Sequence, residues 1–201
     1  MAADTAPTAR SAPDCPDRPG FGESTFQPGR TIGAWATDVA ELADQIALGR
    51  FAIVGVSGGA PCALACAARI PDHVRRVALV GGLGPAAGKQ LACDMVRLNR
   101  LVLGLAVCAP PLARVAIHLA APSAKAGAAW ERLAQPWDFD LREVNVPVRI
   151  WQGLADKTVP MAMAHHLAAA LPYSECYYFP AEGYLSLIVR YLEMVLADLC
   201  S

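Results

Sequence analysis

Two periodicities of apolar residues divide the chain into predicted helices and predicted strands. Between positions 31 and 48, apolar residues recur on one face of a helix with a period near 3.6. They are Ile32, Trp35, Val39, Leu42 and Ile46. Thr31 can cap the start of this helix, and Gly49 can end it. The pattern therefore predicts a first helix over about residues 31–48.

Four short runs rich in apolar or aromatic residues predict strands, and the first two are expected to be covered on both faces. They span residues 51–54, 77–80, 148–151 and 175–179. Helices are predicted over 61–69 and 161–171, and in a closing helix whose inward stripe is Leu185, Ile188, Leu192, Val195 and Leu199. Strands that alternate with helices predict an α/β fold, with a mostly parallel sheet and helices on both faces.

The same pattern predicts three kinds of segment. Residues 1–16 are rich in Ala, Pro, Thr and Ser and predict a flexible lead-in. Residues 17–85 and 147–201 form the predicted core. Residues 86–146 are helical but broken by several prolines, and they predict a cap inserted between two strands.

Composition and charge exclude several classes of partner. The formal net charge is -1, and Lys and Arg are scattered, so neither nucleic acid nor an anionic membrane surface is a predicted partner. The longest apolar stretch, 101–113, contains Gly104 and Pro110 and is shorter than the roughly 20 residues that cross a bilayer. The first residues do not have the pattern of a secretory signal, which predicts a cytoplasmic protein. The charge pattern leaves a small molecule as the predicted partner.

No cofactor or metal is predicted. The four histidines are not joined to acids or cysteines at the spacing that metal ligands need. They are His73, His118, His165 and His166. The seven cysteines include no Cys-x-x-Cys pair, and Cys62 and Cys66 are predicted to pack in the core.

Residues 55–59 read Gly-Val-Ser-Gly-Gly and lie between a predicted strand and a predicted helix. This Gly-x-Ser-x-Gly pattern is typical of a nucleophile elbow, a sharp turn that holds a serine hydroxyl above the sheet. The two glycines, Gly55 and Gly59, are expected to remove side chains that would collide around Ser57. The amide of Gly58, at the start of the helix, is expected to face a developing oxyanion.

Further segments make the resemblance to a family specific. Residues 17–24, Asp-Arg-Pro-Gly-Phe-Gly-Glu-Ser, resemble the glycine turn that precedes the elbow in the α/β-hydrolase superfamily. Residues 153–156, Gly-Leu-Ala-Asp, resemble the family's acid-bearing loop. Residues 137–148 resemble the segment that precedes the strand before this loop. The resemblance implies the α/β-hydrolase fold, with Ser57 as nucleophile, Gly58 as an oxyanion donor and Asp156 as the acid that orients a base.

The chain departs from this family where the catalytic histidine belongs. The family's last strand is followed by Gly-His, whereas residues 182–186 here read Glu-Gly-Tyr-Leu-Ser, so Tyr184 stands at the position of the base. A phenol is mostly protonated near neutral pH and is a poor acceptor of the serine proton. His166 is expected to face water and His165 to flank the buried side of its helix, so that both are solvated or boundary residues. His73 is expected at a helix end.

A second departure concerns the N-terminal part of the fold. Nothing before Asp17 resembles the family's other oxyanion loop or its first strands, so the N-terminal strands are expected to be missing. The strand that ends at Ser57 then becomes an open edge, which folded proteins usually avoid. Either a partner covers that edge, which predicts self-association, or further residues of a longer chain do.

The favoured interpretation is an α/β-hydrolase of serine ester or acyl hydrolase ancestry, for a small apolar ester-like substrate, whose activity is impaired by Tyr184. A non-catalytic binding protein that uses the former pocket or the open edge is the alternative from another class. A nucleotide-binding Rossmann fold is disfavoured, because residues 55–59 lack the full Gly-x-Gly-x-x-Gly spacing.

Overall fold

The computed structural model describes residues 14–85, 95, 97–109, 112 and 136–200. Five helices lie in these ranges, α1 (Trp35–Gln45), α2 (Ala60–Arg69), α3 (Arg97–Cys108), α4 (Met161–Ala170) and α5 (Tyr184–Cys200). Four strands lie in them, β1 (Phe51–Val56), β2 (Val74–Val80), β3 (Val148–Gly153) and β4 (Ser174–Phe179). Short 3₁₀ turns follow β1 (Ser57–Gly59) and precede β3 (Leu141–Glu143).

The four strands form one parallel sheet in the order β1-β2-β3-β4. Side chains of a strand alternate between the two faces. Phe51 and Ile53 pack with α1, α2 and α4 on one face, and Val54 and Val56 pack with α5 on the other. This is the α/β architecture, with a parallel sheet and helices on both faces, that the alternating pattern predicts.

Element boundaries differ from the sequence prediction mostly at the ends. The first helix begins at Trp35, since the Thr31 hydroxyl accepts a hydrogen bond from the Ala34 amide in a turn before the helix and does not cap it. It ends at Gln45, and Ala47 then adopts a φ of 52°. The second strand begins at Val74, because pairing with β1 extends it through the polar residues that hydrophobicity alone leaves out.

The inward face of α5 was predicted correctly at Val195 and Leu199 and wrongly at Leu185. The fully buried residues of this helix are Leu187, Val195 and Leu199, and Tyr191 packs on Phe179 with a ring separation of 4.2 Å. Leu185, which the predicted stripe included, is 70% exposed. The helix is apolar on more than one face, so its periodicity alone did not determine which face meets the sheet.

The predicted domain boundaries remain predictions. The residues of the predicted cap that the structure describes are α3, Met95, Ala109, Leu112 and the segment from Pro136 to Val146. His118 lies outside the described residues.

Candidate active site

The carboxyl edge of the sheet collects the polar residues that follow its strands. Ser57 follows β1, Asp156 follows β3, and Tyr184 begins the helix after β4. Because the strands are parallel, their carboxyl ends lie at one edge. Three residues from distant parts of the sequence therefore meet at the same side of the molecule.

The backbone at Ser57 has an unusual conformation. Its φ is 52°, in the left-handed region that non-glycine residues rarely adopt. The chain passes directly from β1 through the turn Ser57–Gly59 into α2. A strained serine at a sharp strand-to-helix turn is the backbone geometry that a nucleophile elbow requires.

The two glycines of the motif have different surroundings. A Cβ on Gly55 would lie 2.9 Å from both the Cα of Ala60 and the Cβ of Ala63, so this position admits no side chain without movement of α2. A Cβ on Gly59 would have no described atom within 4 Å. The prediction that both glycines avoid a collision is therefore correct for Gly55 and wrong for Gly59, because only Gly55 faces the helix.

The carbonyl oxygens of Ser57 and Gly58 in this turn both accept hydrogen bonds from other parts of the protein. The Ser57 carbonyl accepts hydrogen bonds from the amides of Ala60 and Leu83, the latter at 3.1 Å. The Gly58 carbonyl accepts one from Arg18 Nη1 at 3.1 Å. Sequence reasoning treated residues 17–24 as a glycine turn and did not identify Arg18 as a neighbour of Ser57. The available sequence signal was that Arg18 is a cation within the segment that resembles the family's glycine turn.

Asp156 is buried, with 3% of its surface exposed. Its Oδ1 accepts hydrogen bonds from the amides of Thr158 at 2.7 Å and Val159 at 2.9 Å. Its Oδ2 has a 3.5 Å contact from Gln152 Nε2, at the limit for a hydrogen bond. Burial raises the pKa of the Asp156 carboxyl, and the two backbone hydrogen bonds oppose that shift.

Gln152 is a second residue that sequence reasoning missed. Its side chain is fully buried, and its Nε2 donates to the carbonyls of Val159 at 2.9 Å and Gly153 at 3.2 Å. It therefore braces the loop that carries Asp156 against the end of β3. A glutamine inside an apolar strand was the available signal, since buried polar side chains in strands need partners.

Tyr184 and Asp156 both lie close to Gly81, the glycine that directly follows β2. A Cβ built on Gly81 would lie 3.4 Å from Tyr184 Cδ2 and 3.5 Å from Asp156 Oδ2. Gly81 has a φ of 52°, which favours glycine at this position. Among the described residues, no hydrogen bond joins Ser57 Oγ to either Tyr184 or Asp156.

The described histidines lie elsewhere. His73 precedes β2, and its carbonyl accepts from the Phe51 amide at the start of β1, so it lies at the edge opposite Ser57. His165 and His166 are both exposed on α4, and His165 meets the edge of the Tyr178 ring at 5.9 Å between centroids. The prediction that both histidines are solvated or boundary residues is therefore confirmed, and His165 lies beside β4.

The two cysteines of α2 lie in the core. Cys66 is buried, and burial raises the pKa of its thiol to about 12, while Cys62 is 9% exposed in the same helix. Within the described ranges, no group of three His, Cys, Asp or Glu side chains could hold a metal ion. No helix of the described ranges is long and apolar enough to cross a membrane.

Comparison with known proteins agrees with this architecture. A family model described as alpha/beta hydrolase fold matches residues 15–102. No match was found among curated proteins. The chain therefore has the α/β-hydrolase fold, with a parallel sheet flanked by helices.

Several solved structures have the same fold at low sequence identity. An esterase from Thermogutta terrifontis is 22% identical with a TM-score of 0.62, over 89% of this chain and 74% of that one. An alpha/beta hydrolase fold protein from Nakamurella multipartita is 21% identical with a TM-score of 0.61, over 92% and 82%. An esterase from Exiguobacterium antarcticum is 18% identical with a TM-score of 0.64, over 90% and 79%. At these identities the likeness concerns the fold.

Proposed function

We propose that this chain derives from serine hydrolases that cleave esters or related acyl compounds, with Ser57 as nucleophile and Asp156 as acid. The observation that carries the proposal is the left-handed backbone of Ser57 at the turn from β1 to α2. A strained non-glycine residue persists only where the surrounding structure enforces it, and such residues cluster at active sites. The Gly58 amide is the proposed oxyanion donor.

Asp156 supports the same proposal by the way its two oxygens differ. Oδ1 is occupied by two backbone amides, whereas Oδ2 is on the side of Tyr184. In a serine triad the acid is fixed in this manner and uses its remaining oxygen to orient the base. A small ester-like substrate with an apolar acyl group fits the esterases among the structural neighbours.

We further propose that hydrolysis is impaired, because Tyr184 occupies the position of the base. Without a proton acceptor, Ser57 remains a neutral hydroxyl and a weak nucleophile. The described residues bring no histidine to the carboxyl edge of β1 and β2 that would replace it. The roughly 10³ to 10⁴-fold catalysis that remains in well-studied serine hydrolases after loss of one triad member comes from binding and the oxyanion hole, and here Gly58 is the one oxyanion donor that we propose, so less should remain.

The test uses the unmodified chain and Ser57→Ala. Turnover of p-nitrophenyl acetate should be close to background in both, and labelling by a fluorophosphonate probe should be weak. Strong turnover with stoichiometric labelling, both abolished by Ser57→Ala, would show that the chain is an active serine hydrolase and that the impairment proposal is wrong.

A non-catalytic binding role is the second candidate, favoured by the tyrosine at the base position. A binding protein would keep the pocket but not the chemistry. An uncleavable phosphonate that cannot acylate serine should then raise the melting temperature equally for the unmodified chain and for Ser57→Ala. Equal stabilisation with no turnover would favour this role over an impaired enzyme. We place either function in the cytoplasm.

We also propose that the chain associates with a second copy of itself along β1. Among the described strands, β1 pairs only with β2, its six residues are uncharged, and most are half-buried. An antiparallel pairing of two β1 strands about a two-fold axis normal to the sheet would place Val54 opposite Val54 of the copy. No like charges would then face each other, and such an isologous contact is self-complementary.

One flank of α5 extends this apolar edge. At 100° per residue, Leu185, Val189, Leu192 and Leu196 lie on one flank of the helix. Arg190 lies on the opposite flank and pairs with Glu182, beyond β4, at 2.9 Å. The apolar flank is therefore on the β1 side of α5. Val189 is 82% exposed there.

A further inference from the structure

Gly58 has no side chain to restrict its backbone, yet the peptide planes on both of its sides are held by other parts of the protein. The first plane joins Ser57 to Gly58, and its carbonyl accepts from the Leu83 amide at 3.1 Å. Because a trans peptide is rigid and planar, its N–H points opposite to its carbonyl. The hydrogen bond from Leu83 therefore also fixes the direction of the Gly58 N–H.

The second plane joins Gly58 to Gly59, and its carbonyl accepts from Arg18 Nη1 at 3.1 Å. The two dihedral angles of Gly58 are the only soft torsions between these planes. A glycine would otherwise sample both signs of φ with little cost. Holding both planes therefore sets the conformation of Gly58 from outside the turn.

Arg18 is itself positioned for this role. Its guanidinium carbon lies 4.6 Å from the centre of the Phe21 ring, and its Nη1 is also 3.4 Å from Cys62 Sγ in the first turn of α2. The loop that carries it is closed by hydrogen bonds from the Phe21 amide to the Arg18 carbonyl and from Ser24 Oγ to the Asp17 carbonyl. A planar guanidinium loses less freedom per hydrogen bond than a lysine would.

We propose that Arg18 is a positioning residue that, together with the Leu83 amide, locks Gly58 so that its N–H stays directed at the oxyanion position above Ser57. The restriction of Gly58 follows from these contacts alone, whereas its role in catalysis rests on the proposed function. Arg18 touches neither substrate nor reacting atoms in this role. It acts through the Gly58 carbonyl, 40 residues away in sequence.

The first test measures the restriction of the Gly58 backbone and needs no enzyme activity. Backbone ¹⁵N order parameters of Gly58 and Gly59 are measured in the unmodified chain, in Arg18→Met and in Arg50→Met. Arg50 is the matched control, because its Nη2 donates to the Val74 carbonyl at 3.1 Å near the amino end of the sheet. Arg18→Met should lower both order parameters from about 0.85 toward 0.6, and Arg50→Met should leave them unchanged.

The second test measures ester hydrolysis in variants that also carry Tyr184→His. Arg18→Met should lower kcat for p-nitrophenyl acetate on the order of 10-fold with KM unchanged, because an oxyanion interaction is stronger in the transition state. This is less than the roughly 10² to 10³ lost when a donor is removed altogether. Added guanidinium should restore part of the rate in Arg18→Ala, and Arg50→Met should keep its kcat.

The outcomes separate this inference from the proposed function. Unchanged order parameters in Arg18→Met would overturn the lock, whatever the activity. Lower order parameters with an unchanged kcat would overturn its catalytic role. If Tyr184→His shows no Ser57-dependent turnover, the proposed function fails, and the order parameters alone then decide whether Arg18 locks Gly58.

Discussion

Asp156 and Tyr184 both lie close to Gly81, where a Cβ would be 3.5 Å from the carboxylate Oδ2 and 3.4 Å from the tyrosine Cδ2. The glycine that follows β2 is therefore flanked by the buried acid and by an aromatic side chain of the last helix. Since Oδ1 is already occupied by the amides of Thr158 and Val159, Oδ2 is the oxygen that a base at position 184 would meet.

Tyr184→His should therefore restore part of a hydrolytic activity. Histidine titrates near neutral pH and can take the proton of Ser57 while Asp156 orients its ring. We expect fluorophosphonate labelling and ester turnover to rise at least about 10-fold, and to increase with pH through the histidine range near 6.5. Recovery should remain partial, because the proposed site relies on Gly58 as its oxyanion donor and the loss of one donor costs roughly 10² to 10³ in rate.

Tyr184→Phe is the control for this gain. It removes the hydroxyl of Tyr184 without adding a base, so its turnover should stay at the level of the unmodified chain. A gain in Tyr184→His that persists after Ser57→Ala, or a gain of equal size in Tyr184→Phe, would contradict the assignment of position 184 to the base.

Gly55→Ala should destabilise the protein, and Gly59→Ala should not. The added Cβ at position 55 would lie 2.9 Å from α2, and overpacking of this kind costs about 1–3 kcal/mol. At position 59 the φ is -79° and no described atom lies within 4 Å, so alanine should be neutral or stabilising by up to about 1 kcal/mol. Urea unfolding of both variants measures the difference, and equal losses of stability would refute it.

The raised pKa of Asp156 predicts how its contribution to stability changes with pH. Burial raises the folded-state pKa, so the folded state binds more protons than the unfolded state between the two pKa values. The free energy of unfolding of the wild type, relative to Asp156→Asn, should be greatest below pH 4. It should fall as the pH rises through the folded-state pKa.

Asp140 provides a control of opposite sign. The hydrogen bonds from Arg142 lower the pKa of the exposed Asp140 carboxyl to about 2. The stability of the wild type relative to Asp140→Asn should therefore increase as the pH rises from about 2 to about 4. Urea titrations at several pH values between about 2 and 7 test both signs. Parallel profiles for the two variants would show that burial does not dominate at Asp156.

Self-association along β1 should depend on concentration and on the apolar flank of α5. Val189→Lys places a charge on that flank and should weaken association in sedimentation velocity, because edge and interface lysines oppose pairing. Met194→Lys is the control, since Met194 is 53% exposed on the other flank. A monodisperse monomer at every concentration, with cooperative thermal unfolding, would contradict the proposal.

The sequence by itself determined the features that depend on local pattern. Alternation of apolar runs and helical stripes gave the order of the strands and helices, because each element's burial leaves a periodic trace along the chain. The strand, Gly-x-Ser-x-Gly and helix succession indicated the turn at Ser57, and the segment at 182–186 predicted Tyr184 at the place of the base. These signals span a few residues each.

Only the tertiary structure decided features that join distant residues. It brought Arg18 to Gly58, placed Gln152 against the loop of Asp156, and showed that Gly55 and not Gly59 faces α2. It also turned Leu185 to solvent, because a helix with several apolar faces can pack in more than one orientation. Such contacts depend on how strands and helices pack in space, and no local period records them.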